Sequence, residues 1–170
     1  LTNITIPSGL TELQNCIFSN CSALTEITIP RGIEKIGRAP FEGTNLSAIA
    51  VEEGNPVYKS DQNCIIRKAD NVLIAGCKTS VIPDYVETIG EGAFRSCQGL
   101  TEITVPASVR KIDKSAFLNC RNLTSITLSE GLKEIVASRF ADDTPFRFCI
   151  NLTALEIPAS VEFIPEGLTS

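Results

Sequence analysis

A unit of about 23 residues recurs along the chain, and this period constrains the fold more than any other feature of the sequence. Its clearest copy is LTEITVPASVRKIDKSAFLNCRN, from Leu100 to Asn122. Two of the intervals between copies are lengthened by insertions. A fixed period of about 20 to 29 residues with an L-x-x-L-x-L core predicts a solenoid in which successive units stack. The units start at Leu1, Leu24, Leu46, Cys77, Leu100, Leu123 and Leu152.

Positions 4 and 6 of each unit are apolar, as at Ile103 and Val105. One residue separates them, and alternation at period 2 with β-branched side chains predicts a strand with one buried face. Position 7 is often proline, as at Pro106, which cannot donate to a ladder and therefore ends the strand. Because every unit repeats the same chain direction, these strands are predicted to pair in parallel.

The second half of the unit carries further regular positions. Apolar residues at positions 10 and 13 predict a second short extended segment. A small residue at position 16 and Phe at position 18 predict one helical or 3₁₀ turn, with the Phe filling the interior. Position 21 is often cysteine, as at Cys97 and Cys120. Regular burial favours free thiols there, although the spacing of about 4.8 Å between stacked units also permits a Cys97–Cys120 disulfide.

Two insertions interrupt the period. In the first, at about residues 55–76, the apolar runs 64–67 and 71–74 flank a polar turn and predict a β-hairpin. In the second, at about residues 136–146, Phe140 and Phe146 compete for position 18. The whole chain, 1–170, is interpreted as a single repeat domain of about seven units. It contains no methionine and opens on the first residue of a unit, so it is expected to be a fragment of a longer protein.

The pattern L-x-x-I-x-I-P-x-S-V-x-x-I-x-x-x-A-F-x-x-C resembles the BspA-type, or Treponema pallidum-type, leucine-rich repeat. Leu100–Asn122 matches it almost throughout, whereas Ser80 departs from it in the apolar column. The resemblance implies an α/β leucine-rich-repeat solenoid that is β-rich and right-handed, with a parallel sheet on its concave face and short 3₁₀ or helical turns elsewhere. It also implies a bacterial cell-surface or secreted protein that acts in adhesion, with a host extracellular matrix protein or another bacterial surface protein as its partner.

Several kinds of chemistry are disfavoured by composition. The chain has no histidine, which removes Ser-His-Asp and Cys-His catalysis and the usual zinc-enzyme sites. It has no phosphate-binding glycine motif, and its net charge of −5 disfavours nucleic acid. No apolar run is long enough to cross a bilayer. We therefore expect no enzyme activity, no cofactor, no metal, no nucleic-acid partner and no direct membrane insertion.

Two sets of residues remain as candidate protein contacts. Positions 3 and 5 of each strand point away from the core and form a threonine-rich, mildly acidic surface without aromatic residues. A plain solvated sheet explains this surface equally well, so a structural spacer without a ligand stays open as an alternative to a binding module. The insertions are richer in aromatic and arginine side chains. The candidates on the strands are Glu26, Thr28, Glu102, Thr104, Ser125 and Thr127, and those in the insertions are Tyr58, Arg67, Phe140 and Arg147.

Overall fold

The computed structural model describes residues 2–137 and 143–168, and the regular elements that they form are β-strands. The predicted solenoid is confirmed, but its helical component is not, because the described residues contain no α-helix. The strands are β1 (Glu12–Leu13), β2 (Glu26–Ile29), β3 (Lys35–Ile36), β4 (Ala48–Val51), β5 (Tyr58–Asp61), β6 (Cys64–Arg67), β7 (Val72–Ala75), β8 (Thr88–Ile89), β9 (Glu102–Val105), β10 (Lys111–Ile112), β11 (Ser125–Leu128) and β12 (Glu134–Ile135).

The four-residue strands at positions 3–6 pair in parallel, with one repeat in register with the next. β2 pairs with β4 and β9 pairs with β11, so that Ile103 lies opposite Ile126. In β2, β9 and β11 the exposed and buried residues alternate strictly. This alternation follows from the period of 2 in a strand and directs the β-branched residues into the core.

The sheet on this face is not continuous, contrary to the single parallel sheet predicted along the array. It consists of the pair β2–β4 and the pair β9–β11. Between them, the segment 79–82 occupies the strand positions of its repeat without forming a strand.

Positions 12 and 13 form the second set of strands, which are two residues long. β1 pairs with β3, and β8, β10 and β12 form a parallel ladder in which Ile89, Ile112 and Ile135 are aligned. These isoleucines are buried. The apolar residue at position 13 therefore anchors a strand on the other side of the repeat core.

The first insertion adds a three-stranded meander to this second ladder. β5 and β6 pair antiparallel, as do β6 and β7, and β7 then pairs in parallel with β8. β6 is buried on both faces. Its Ile65 packs into a core formed mainly by the first three repeats, whereas Cys64 and Ile66 pack into a core formed by the later repeats. The meander is thus an internal wall between two hydrophobic cores.

The segment before position 21 adopts a tight turn instead of the predicted helical turn. Position 16 has positive φ at Cys16, Ala39, Gly92 and Ser115, with values from 46° to 66°. A positive φ also occurs at position 20, for example at Asn119, where φ is 62°. Left-handed residues four positions apart cannot both belong to a right-handed helix. Close stacking also favours small residues at position 16, since a Cβ on Gly92 would lie 3.0 Å from Cβ of Ala39.

The phenylalanines at position 18 stack along the interior. The rings of Phe18 and Phe41 are 5.9 Å apart, those of Phe94 and Phe117 are 5.1 Å apart, and those of Phe117 and Phe146 are 5.6 Å apart. Phe146 is fully buried and takes the position-18 place of its repeat.

All seven cysteines are free thiols in the structure. In the column at position 21, Sγ of Cys120 donates to the carbonyl oxygen of Phe94 at 3.0 Å and Sγ of Cys149 donates to that of Phe117 at 3.2 Å, so both thiols link adjacent repeats. Burial raises the pKa of Cys120 well above its usual value. The cysteine column therefore contributes packing and hydrogen bonds without a disulfide.

Candidate protein-binding face

The outward residues at positions 3 and 5 lie on the exposed side of the two parallel pairs. Their exposure follows directly from the burial of positions 4 and 6 on the opposite side of each strand. The candidates predicted from the sequence are all exposed there, namely Glu26, Thr28, Glu102, Thr104, Ser125 and Thr127.

The break in the sheet divides these candidates between two open depressions. One, of about 470 Å³, is lined by Glu26 and Thr28 together with Asn3 and Ala50. The structure brings Glu102 and Thr104 of β9 beside Ser125 and Thr127 of β11 and leaves the β2 residues apart from them. These four residues, with residues 78–82, line the second depression, of about 380 Å³. We call it the β9 depression.

The carboxylates of Glu26 and Glu102 differ from several others among the described residues. Elsewhere, Glu12 pairs with Lys35 at 2.7 Å and Glu42 pairs with Arg95 at 3.0 Å. Glu26 and Glu102 have no ion pair or side-chain hydrogen bond within residues 2–137 and 143–168. Among the described residues that line the β9 depression, the one cation, Lys78, instead donates to Oδ1 of Asn45 at 2.8 Å. The face thus presents fixed, unpaired negative charge among hydroxyl groups.

Segment 79–81 owes its irregular path to the meander. Oγ1 of Thr79 donates to the carbonyl oxygen of Ser47 at 2.7 Å, and Oγ of Ser80 donates to that of Asn63 at 2.7 Å. The N–H of Val81 donates to the carbonyl oxygen of Gln62 at 3.2 Å. These bonds all point towards the earlier repeats and away from β9.

Ser80 stands in a column that is otherwise apolar, and its buried hydroxyl has two hydrogen-bond partners. In addition to donating to Asn63, Oγ accepts the N–H of Cys77 at 2.8 Å. A buried hydroxyl is tolerated when its hydrogen bonds are formed. The departure from the repeat was visible in the sequence, but the acceptor on the meander was not.

The two candidates in the first insertion are engaged within the chain. Tyr58 is only 4% exposed, and its hydroxyl oxygen accepts the N–H of Ile36 at 3.0 Å. It caps the edge of β3 and is not available as a surface contact, contrary to its place among the candidates. Arg67 forms two hydrogen bonds with Asp70, at 2.9 and 2.7 Å, which raise the pKa of the guanidinium and lower the pKa of the carboxyl.

The second insertion is described in part. The Arg147 guanidinium lies 4.7 Å from the centre of the Phe148 ring, and that ring is exposed. This pair is an aromatic and cationic surface contact of the kind found at binding hot spots. Phe140 lies outside the described residues.

One surface pair was missed by sequence reasoning. Tyr85 donates its hydroxyl to Oδ2 of Asp61 at 2.7 Å, and Nζ of Lys59 lies 4.0 Å from the centre of its ring. Both contacts join β5 to the turn that precedes β8. No short-range sequence signal links residues that are 24 positions apart, so the pair could not be found without the path of the meander.

Comparisons with known proteins agree with this architecture. A model of the BspA type leucine rich repeat region matches six copies, over residues 1–66 and 75–168. The unmatched residues between the two ranges, 67–74, lie within the meander. A search of curated proteins gave no significant match.

Solved structures of bacterial repeat proteins are similar to this chain. A leucine rich cell surface protein from Faecalibacterium prausnitzii A2-165 has 29% identity and a TM-score of 0.75, over 98% of this chain and 44% of that protein. The pneumococcal vaccine antigen PcpA has 24% identity and a TM-score of 0.64, over 74% and 33%. A leucine-rich repeat protein from Eubacterium ventriosum ATCC 27560 has 18% identity and a TM-score of 0.61, over 92% and 54%. The last two share the fold alone. The chain spans about half the length of these proteins or less.

Two other features are absent from the described residues. These residues include no helix that is long and apolar enough to cross a membrane. They also include no group of three or more histidine, cysteine, aspartate or glutamate side chains placed to hold a metal ion.

Proposed function

Because the chain belongs to the BspA-type leucine-rich repeat family, we propose that it is a non-enzymatic protein-binding module of a bacterial cell-surface or secreted protein. Its strand face contacts the partner, and the interaction serves adhesion. The proposed partner is an extracellular protein, either of the host matrix or of another bacterial surface. The 29% identity to a protein described as a leucine rich cell surface protein supports this location.

The observation that carries the proposal is the unpaired negative charge on the strand face. Glu26 and Glu102 are held on rigid strands, they are exposed, and they lie in open depressions. A carboxylate without an internal partner keeps its attraction for an external cation, so the face favours a basic patch on the partner and accelerates association with it. The net charge of the chain, −5, acts in the same direction.

The test measures binding of the purified chain to a panel of host matrix glycoproteins and to intact bacterial cells. Reversing the charge with Glu26→Lys and Glu102→Lys is expected to weaken binding about tenfold, mainly through slower association. The matched control is Glu134→Lys, which makes the same change on an exposed residue of β12, in the other ladder. Equal loss in the control would contradict a role for the strand face.

A structural spacer is the second candidate function. It is favoured by one observation, which is that the residues lining the β9 depression include no aromatic side chain, whereas binding hot spots are enriched in Trp, Tyr and Arg. A spacer predicts no saturable binding to any member of the panel. Saturable binding that survives the control substitution and is lost with the two charge reversals would exclude it.

A further inference from the structure

The parallel pair β9–β11 is a two-stranded sheet, and no described residue closes its edge at β9. The N–H groups of Thr124 and Ser125 donate to the carbonyl oxygen of Thr101, and the N–H of Ser129 donates to that of Val105. Neighbouring residues of a strand direct their backbone groups to opposite sides. The N–H and C=O groups of Glu102 and Thr104 therefore point away from β11 and into the β9 depression.

No hydrogen bond from the described residues reaches these four backbone groups. In a regular array the preceding repeat would supply the missing strand. Here that segment, 79–82, forms hydrogen bonds with Ser47, Gln62 and Asn63 instead. Its bonding groups are committed to the meander and its earlier neighbours, so closing the gap would break contacts that already exist.

The earlier pair treats its equivalent edge differently. The N–H of Ile49 donates to Oδ1 of Asn63 at 3.4 Å and the N–H of Val51 donates to Oγ of Ser60 at 3.0 Å, so side chains of the meander cap β4. Within the described residues, the edge of β2 that faces residues 3–6 also lacks a ladder, and residues 3–6 form no competing hydrogen bonds. The edge of β9 differs from both of these edges. The segment that faces it, 79–82, forms its hydrogen bonds with Ser47, Gln62 and Asn63.

We propose that the open edge of β9 binds an extended, basic peptide segment of a protein partner by strand addition. This proposal rests on the proposed function and specifies how the strand face is used. Glu102 and Thr104 offer two N–H donors and two C=O acceptors, which is the complement of a peptide backbone. The unpaired Glu102 carboxylate selects a lysine or arginine on the added strand, and the exposed Val81, at 59%, supplies an apolar contact on the facing wall.

The first test needs no ligand and uses amide hydrogen exchange resolved by residue. In the free protein, the amides of Glu102 and Thr104 are expected to exchange at least about tenfold faster than those of Ile103 and Val105, which point to β11. Equal protection of all four amides would overturn the open edge.

The second test adds a synthetic probe, the end-blocked peptide acetyl-TKVTKVT-amide, and a copy of it with N-methyl groups at alternate residues. The unmodified probe is expected to slow exchange at Glu102 and Thr104 about tenfold, and the methylated copy to leave it unchanged. Thr104→Pro removes an N–H of the edge without touching the ladder to β11, and should abolish the effect. Thr28→Pro is the matched control in β2 and should retain it.

The outcomes separate the two proposals. No protection at saturating probe, or protection centred on β2, overturns strand addition at β9, and it does so even if whole proteins bind elsewhere on the face. Protection by the probe together with no binding in the protein panel supports the open edge and overturns the proposed function. If Thr104→Pro fails to fold, the comparison between the two forms of the probe still decides the question.

Discussion

The two cores on either side of β6 are built from the same repeat but end differently at the wall between them. We call residues 2–57 the N-terminal stack, and residues 80–137 with 143–168 the C-terminal stack. The meander closes the N-terminal stack, because Tyr58, Ser60 and Asn63 cap the last strands with side-chain atoms. It leaves the strand face of the C-terminal stack open at β9. The same insertion therefore caps the last strands of the N-terminal stack and leaves an unpaired strand edge on the C-terminal stack.

The stacks also differ in how their interiors are filled. The C-terminal stack has three phenylalanine rings in a row with interplanar angles of 4° and 12°, whereas the N-terminal stack has two rings at 16°. The thiols of Cys120 and Cys149 donate to backbone carbonyl oxygens at 3.0 and 3.2 Å, whereas Cys16 and Cys21 are only half-buried and the thiol of Cys16 donates to Glu42 at 3.7 Å. We expect the C-terminal stack to be the more stable of the two, and the following predictions test this difference.

Phe117→Ala has the largest expected effect. Phe117 is fully buried between two rings, so its removal should cost about 4 kcal/mol of unfolding free energy. Phe18→Ala, which removes a ring with one stacked neighbour, should cost less. Urea unfolding of the two variants measures the difference, and Phe163→Ala, at a side chain that is 65% exposed, is the control. A larger loss for Phe18→Ala would reverse the proposed order of stability.

Substitutions in β6 should separate the two cores. Ile65→Ala and Ile66→Ala each remove a fully buried side chain and should cost about 3 kcal/mol. Because the residues pack on opposite sides of the wall, Ile65→Ala should speed hydrogen exchange mainly in β2 and β4, and Ile66→Ala mainly in β9 and β11. Equal effects of both variants on both stacks would show that the wall does not separate them.

Ser80→Ala should have a moderate effect. It leaves the carbonyl oxygen of Asn63 and the N–H of Cys77 without their partner, at a cost of about 2 kcal/mol. It should also loosen segment 79–81 from the meander, so exchange at Val81 should become faster. Ser129→Ala, at a half-buried serine with no such contacts among the described residues, is the matched control. Unchanged exchange at Val81 would show that the other hydrogen bonds hold the segment.

The last prediction is a dependence of stability on alkaline pH. Burial raises the pKa of Cys64, in the wall, from 9.0 to about 12. The folded state therefore keeps a proton that the unfolded chain has lost, so the contribution of Cys64 is complete below pH 9 and falls as the pH rises towards 12. The urea midpoint should decline over this range with a shallower slope in Cys64→Ala. Equal slopes of the urea midpoint against pH in the two proteins would mean that the folded state does not protect the Cys64 thiol from losing its proton.

The repeat positions were predictable because each has a local physical signature. Alternation at Ile103 and Val105 indicated a half-buried strand, and Phe117 indicated a side chain that fills the interior. All three residues are buried. The turn before position 21 was misread, because a small residue at position 16 is compatible with a helix and with a left-handed φ alike. The structure shows φ of 57° at Ser115 and 62° at Asn119, which excludes the helix.

The candidate site was less predictable than the fold. The exposure of Glu102 and Thr104 follows from strand alternation, but the open edge of β9 depends on where segment 79–81 finds its hydrogen bonds. Two of those partners, Gln62 and Asn63, lie on the meander and the third, Ser47, precedes β4, so the contacts depend on the path of an insertion that the period does not describe. Tyr58 was misjudged for the same reason, because an aromatic residue in an insertion can face the interior when the insertion itself enters the core.

The double-sided burial of β6 has a consequence for how such chains diverge. Ile65 contacts one core and Ile66 contacts the other, although they are adjacent in sequence. Among relatives that keep the meander, residue 65 should therefore covary with the N-terminal stack and residue 66 with the C-terminal stack. Repeats could then be gained or lost on one side of β6 without compensating changes on the other, so the meander would mark a natural junction for recombination between arrays of different length.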